Sequence, residues 1–140
     1  MPNLAQLKKL KTAARAAATR AYAPYSKFAV GAAVLAGSGK IYSGCNVENA
    51  SYGLCNCAER TAIFSAVAAC ERELRCVVVY TPTQTATAPC GACRQVINEF
   101  GPAARVVSIC AGKDVLDVAI ATLLPAAFGP ADLKNAGVKS

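Results

Sequence analysis

Apolar residues recur at three- and four-residue steps near the start of the chain. Leu4, Leu7, Leu10, Ala14, Ala17 and Ala21 form the series, with Lys8, Lys9, Lys11 and Arg15 between them. This spacing predicts an amphipathic helix over residues 3–22. Pro24 closes it, because proline does not continue a helix. Lys27–Leu35 and Lys40–Cys45 read as two strands of a hairpin turned by Gly37-Ser38-Gly39. Residues 46–56, with Asn, Gly and Ser in turn roles, predict irregular backbone. A second helix is predicted over 58–70. Its stretch from Ala62 to Ala69 is apolar nearly all round, which predicts burial on every side. Cys76–Tyr80 is a continuous apolar run, as in a strand covered on both faces. A third helix follows at Gly91–Phe100. Strands are predicted at Arg105–Cys110 and Val115–Ile120 around a turn at Gly112. Short helical turns are predicted at Ala121–Leu124 and Ala131–Asn135. A helix, a hairpin and then alternating helices and strands imply an α/β sandwich on a mixed sheet of about five strands.

The chain has 140 residues, so one domain over residues 1–140 is expected. Apolar residues make up 54%, enough for a real core. No apolar run reaches the roughly 18 residues of a membrane span. No apolar block follows the basic N-terminal stretch as in a signal peptide, and a cytoplasmic protein is expected. The formal charge is +7, and the first twenty positions hold five basic residues and no acid. The basic helix lacks interleaved aromatics, so a solvated face is favoured over a nucleic-acid patch. The chain has no histidine, which removes Ser-His and Cys-His mechanisms. Among the eight cysteines, Cys70, Cys76 and Cys110 sit in apolar patterns and are expected to be buried free thiols.

Two motifs carry the chemistry. Cys57-Ala58-Glu59-Arg60 opens the second predicted helix, and Pro89-Cys90-Gly91-Ala92-Cys93 opens the third. Three thiols can converge on one metal. Thiolate sulfur suits Zn²⁺, and a zinc held by three protein ligands keeps a fourth place open for water. Residues two apart on a regular helix point about 200° away from each other. Cys57 and Glu59 therefore face one site only if Cys57 is the helix cap, where the backbone is not helical. Cys90 and Cys93, three apart, can share a face in a first turn. Both helix N-termini would offset thiolate charge. Arg60 and Arg94 each adjoin a motif residue and are candidate donors to sulfur. Cys55 is a competing thiol: with it, a closed four-cysteine structural site is the alternative.

Together these motifs resemble the zinc-dependent deaminases. Tyr25-Ser26-Lys27-Phe28-Ala29-Val30-Gly31, Gly44-Cys45-Asn46-Val47-Glu48-Asn49 and Leu123-Leu124-Pro125-Ala126-Ala127-Phe128-Gly129-Pro130 narrow the resemblance to the small cytidine deaminases, over nearly the whole chain. The resemblance implies a three-layer α-β-α sandwich. It also implies hydrolytic deamination of cytidine and 2′-deoxycytidine in pyrimidine salvage. One Zn²⁺ per chain would be held by Cys57, Cys90 and Cys93, with Glu59 as proton shuttle. Phe28 would stack on the pyrimidine, and Asn46 and Glu48 would bind the ribose hydroxyls. The Ala58 N–H and the Ala88 carbonyl are candidates for the base edge, and Arg60 for a thiolate partner. The family is usually homotetrameric, with sites built between subunits. Phe128 would then lie over a neighbouring chain's site. The implied ligand is a small nucleoside, with neither nucleic acid nor membrane as partner.

Overall fold

The computed structural model describes residues 1–135. The first helix, α1, is Leu4–Ala18. Asn3 caps it: Asn3 Oδ1 accepts from Gln6 N at 2.8 Å, and Gln6 Oε1 accepts from Asn3 N at 3.0 Å. This reciprocal pair satisfies two N–H groups that a helix start leaves open. The helix ends at Ala18, short of the expected boundary at Tyr22. Thr19 turns its hydroxyl back to the Ala16 carbonyl at 2.6 Å. Beyond it, the Tyr22 N–H donates to the Asn46 carbonyl at 3.0 Å.

Strands β1 (Gly31–Ala36) and β2 (Ile41–Cys45) form the expected hairpin. Gly39 takes φ 89°, the left-handed conformation glycine adopts without strain. β1 begins at Gly31 rather than at Lys27, where the apolar pattern places its start. Lys27 has φ 58°, so the backbone there is left-handed and cannot lie in a strand. Helix α2 (Ala58–Ala68), strand β3 (Leu74–Thr81), helix α3 (Gly91–Phe100) and strands β4 (Arg105–Cys110) and β5 (Leu116–Ala119) follow. The short helices α4 (Ile120–Leu123) and α5 (Pro130–Asn135) complete the described chain.

The sheet order is β2-β1-β3-β4-β5. Within this sheet β3 and β4 run parallel, joined by α3, and the other neighbours are antiparallel. Side chains alternate across the sheet and divide the core into two halves. On one face, Leu10 and Ala14 of α1 pack on Ala33, Leu35, Cys76, Val78, Val107 and Ile109. On the other, Ala62, Ile63 and Ala66 of α2 and Ile97 of α3 pack on Val34, Val77, Val79 and Val106. This is the expected three-layer sandwich on a mixed five-stranded sheet.

Two glycines set how closely the helices approach. A Cβ on Gly31 would stand 1.9 Å from the Ala14 carbonyl oxygen, and one on Gly44 would stand 2.4 Å from Ala62 N. α1 and α2 thus rest directly on strand backbone.

Two further expectations need correction. α2 is not buried on every side, because it packs on the sheet by one face only. On its other face Phe64 is 48% exposed, and Ala68 is exposed too. Cys70 is exposed as well, since the helix has ended before it and its φ is 70°. Cys76 and Cys110 are buried free thiols, as expected.

Candidate active site

Cys57 is the cap residue of α2, with φ −74° and ψ 155°, and Glu59 lies in the first helical turn. The extended cap lets both side chains reach one cavity. Cys90 caps α3 in the same way, with φ −66° and ψ 167°, and Cys93 lies one turn in. Cys90 is therefore a cap rather than a member of the first turn. The three sulfurs lie within 4.8 Å of one another, and those of Cys57 and Cys90 are 3.8 Å apart. The cluster sits at two helix N-termini, where backbone N–H groups favour negative charge.

Arg60 Nη2 donates to Cys57 Sγ at 3.4 Å. Hydrogen bonding from the Cys93 thiol, with help from Arg60, holds the Cys57 thiol well below the usual range. Its donor Cys93 is pushed up correspondingly, and burial pushes it further. A metal bound by the three sulfurs would take the place of their thiol protons. Arg60 Nε is buried beside the cluster with no protein partner among the described residues. Three thiols of this spacing, two helix ends and an under-used guanidinium form a donor set suited to a thiophilic cation. Cys55 stands apart from the cluster. Its sulfur lies 3.3 Å from Asn49 N and 3.7 Å from Asn49 O. Arg94, the other candidate donor to sulfur, is engaged elsewhere. Its Nε reaches the Pro89 carbonyl at 2.7 Å and its Nη1 the Leu123 carbonyl at 3.0 Å, so it ties α3 to its own approach loop and to the end of α4.

A cavity of about 240 Å³ opens beside Cys57. Phe28, Val30, Asn46, Glu48, Ala58, Glu59 and Ala88 line it, as do Ser26, Val79, Thr81 and Thr87. Glu59 is only 4% exposed, and burial raises its carboxyl above the usual carboxylate range. A carboxyl shifted in this direction suits a group that both takes and gives a proton.

The polar wall is stitched from two segments. Asn46 Nδ2 donates to the Phe28 carbonyl at 2.7 Å, and Asn46 Oδ1 accepts from Val30 N at 2.9 Å. Glu48 Oε1 accepts from Tyr25 N at 3.0 Å and Ser26 N at 3.1 Å, while Oε2 accepts from the Ser26 hydroxyl. The Ser26 hydroxyl, then the two backbone N–H groups, hold the Glu48 carboxyl below its usual range. Asn46 thus fixes the strand entry as well as facing the cavity. Chemically, the cavity joins an apolar slot, an acid/base carboxyl, a metal-fitting thiol cluster and a wall suited to hydroxyls.

Phe128 does not line this cavity. It is 59% exposed, and its carbonyl accepts from Gln95 Nε2 at 2.8 Å. Sequence reasoning missed Ser26, Val30, Val79, Thr81 and Thr87 as lining residues. Ser26 lies inside a recognised motif, but nothing in the sequence pairs it with a carboxylate 22 positions away. Thr81 ends β3 and Thr87 follows it, in a stretch with no periodic pattern.

An α/β sandwich with a cysteine cluster at two helix starts and a buried glutamate beside it defines a class: the zinc-type deaminases. The family profile described as "Cytidine and deoxycytidylate deaminase zinc-binding region" matches residues 4–110. The chain is similar to the cytidine deaminase of Sporosarcina psychrophila, with 47% identity over 131 residues, 93% of this chain and 96% of that one. The crystal structure of cytidine deaminase from Burkholderia pseudomallei matches with a TM-score of 0.83 at 53% identity, covering 86% of this chain and 98% of that chain. That of cytidine deaminase from Mycobacterium tuberculosis matches with a TM-score of 0.75 at 37% identity, covering 88% and 97%. The chain belongs to the cytidine and deoxycytidylate deaminase family.

Proposed function

We propose that this chain hydrolyses cytidine and 2′-deoxycytidine to uridine and 2′-deoxyuridine, releasing ammonia, as a step of pyrimidine salvage. One observation carries the reading. Glu59, buried and raised in pKa, opens onto the same cavity as Cys57 of the thiol cluster and the Asn46–Glu48 wall.

Cys57, Cys90 and Cys93 would hold one zinc ion per chain, with Cys55 outside the set. Zinc bound there supplies Lewis acidity, which makes water nucleophilic near neutral pH. Glu59 takes a proton from the attacking water and delivers it to ring N3, leaving C4 open to the oxygen. It then takes the proton left on that oxygen and passes it to the amine, so the C4–N bond breaks, ammonia departs and C4 becomes a carbonyl. Positioned proton transfer of this kind contributes about 10²–10⁴-fold. Phe28 offers a ring for the pyrimidine to stack on, and the Ala58 N–H and Ala88 carbonyl hold its polar edge. Arg60 offsets charge at the Cys57 sulfur. Asn46 and Glu48 address hydroxyls, which fits a nucleoside better than a free base.

The whole chain, 1–140, acts as one cytoplasmic domain in a homotetramer with shared sites. No helix among the described residues is long and apolar enough to cross a membrane. Phe64, Tyr52, Leu54 and Phe128 are all exposed. The outer face of α2, where Phe64 and Ala68 are exposed, supports burial between copies. Phe128, standing free of its own cavity, would cover a neighbour's. The partner is a small nucleoside rather than a nucleic acid.

The test is to add cytidine to zinc-loaded protein and follow the loss of the cytosine absorbance band. Steady loss with matching ammonia release is expected, and free cytosine should be a very poor substrate. Equal rates on cytosine and cytidine would overturn the ribose assignment. No change at one zinc per chain would overturn the activity.

A further inference from the structure

We infer that Ser26 is the positioning residue that aims the Glu48 carboxylate at the substrate's sugar. The inference rests on the proposed assignment of Glu48 to the ribose hydroxyls. A serine hydroxyl has one proton to give and two lone pairs to receive. The Phe28 N–H donates to Ser26 Oγ at 3.1 Å and takes one of its acceptor positions. The one hydroxyl proton goes to Glu48 Oε2.

The surrounding backbone makes this arrangement rigid. Lys27 N donates to the Ala23 carbonyl at 3.0 Å, closing the turn that carries Ser26. Lys27 is left-handed at φ 58°, a conformation that costs a non-glycine residue free energy and persists where its surroundings enforce it. Glu48 N donates to the Tyr22 carbonyl at 2.8 Å, so the turn and the carboxylate ride on one bridged pair of segments.

Counting acceptor sites then limits what Glu48 can do. A carboxylate offers about four lone-pair positions. On Oε1, Tyr25 N and Ser26 N occupy two, and on Oε2 the Ser26 hydroxyl occupies one. The remaining position is on Oε2, beside the Ser26 hydroxyl, and Glu48 is one of the residues that line the cavity. Glu48 therefore accepts one sugar hydroxyl, through Oε2, in an orientation that Ser26 fixes. Asn46 has one N–H and one acceptor position left after bonding Phe28 O and Val30 N, enough to complete recognition of a diol.

The experiment is a double-mutant cycle read on cytidine with zinc-loaded protein. Ser26→Ala should raise KM about tenfold, the scale of one charge-assisted hydrogen bond, with kcat changed less than about threefold. Ser26→Thr, which keeps the hydroxyl, should bring KM back towards the parent value. In a Glu48→Ala background, Ser26→Ala should add less than about twofold, because a residue acting through Glu48 has nothing left to position. Equal factors in both backgrounds would overturn the inference and show a merely structural role. No rise in KM from Ser26→Ala would overturn it as well. If Glu48→Ala alone leaves KM unchanged, the ribose assignment falls, and the inference with it. Should Ser26→Ala fail to fold, Ser26→Gly removes the same hydroxyl and gives the same reading.

Discussion

The sulfur of Cys57 lies 3.8 Å from that of Cys90, across 33 positions of sequence. Each residue is the extended cap of a helix, and neither uses its side chain to cap. Caps of this kind normally present an oxygen to the first turn. Here both present sulfur to each other instead, so the helix starts are arranged for the cluster and not for the helices.

Metal content should follow that cluster. Cys55→Ala should retain about one zinc per chain, since Cys55 is engaged with Asn49 and three ligands suffice for an open site. Cys93→Ala should lose most of its zinc. Metal analysis after dialysis checks both. Loss of zinc from Cys55→Ala would point to a closed four-cysteine site.

Packing should be least forgiving where helix meets strand backbone. Gly31→Ala would force a Cβ to within 1.9 Å of the Ala14 carbonyl oxygen. Overpacking of this kind typically costs about 1–3 kcal/mol, and the upper end is expected, because backbone cannot rotate aside. Gly53→Ala, with nothing within 4 Å of the added carbon, should change stability by less than about 0.5 kcal/mol. Urea unfolding of both variants makes the comparison.

Arg105 and Asp117 pair across β4 and β5, with Arg105 Nε 2.6 Å from Asp117 Oδ1. The Arg105 guanidinium holds the Asp117 carboxyl below its usual range. A depressed carboxyl contributes stability above its unfolded pKa, about 3.9, and that contribution fades as pH falls through the lower folded value. Asp117→Asn should therefore be less stable than the parent at pH ~6, and the gap should narrow as pH falls below the unfolded value of about 3.9. The effect is small because the pair is partly exposed. A gap that persists unchanged at low pH would mean that packing, not charge, sets the difference.

Shared sites can be tested by mixing two crippled proteins. Glu59→Gln and Phe128→Ala each damage one half of the proposed composite site. Subunit exchange between them should create some sites with both residues intact and raise activity above either parent. A monomer by sedimentation at micromolar concentration, or no recovery after proven exchange, would contradict the shared site.

Much of this is legible in the chain itself. The Cys57 cap follows from geometry, because no regular helix lets residues two apart face one site. α3 and β4 take their expected bounds, since their patterns are regular and bounded by Pro89, Gly101 and Gly112. Departures come where tertiary contacts override the pattern. Tyr22 continues no helix because its N–H is drawn to Asn46. Lys27–Val30 looks apolar enough for a strand, but Ser26, Asn46 and Glu48 bend it into the cavity wall. The outer face of α2 looks like core because sequence does not say whether apolar surface is buried within a chain or between chains. Arg94 looks equivalent to Arg60 beside its motif, yet of the two Arg60 points to sulfur and Arg94 to carbonyls.

The central claim is that Glu59 moves protons while the thiols alone hold the metal. Glu59→Gln measures it most directly, with zinc content and cytidine turnover read on the same preparation. The account predicts about one zinc per chain, an unchanged fold and turnover lower by at least about 10²-fold. Near-parental turnover at full zinc would contradict it, and so would loss of the metal from this variant.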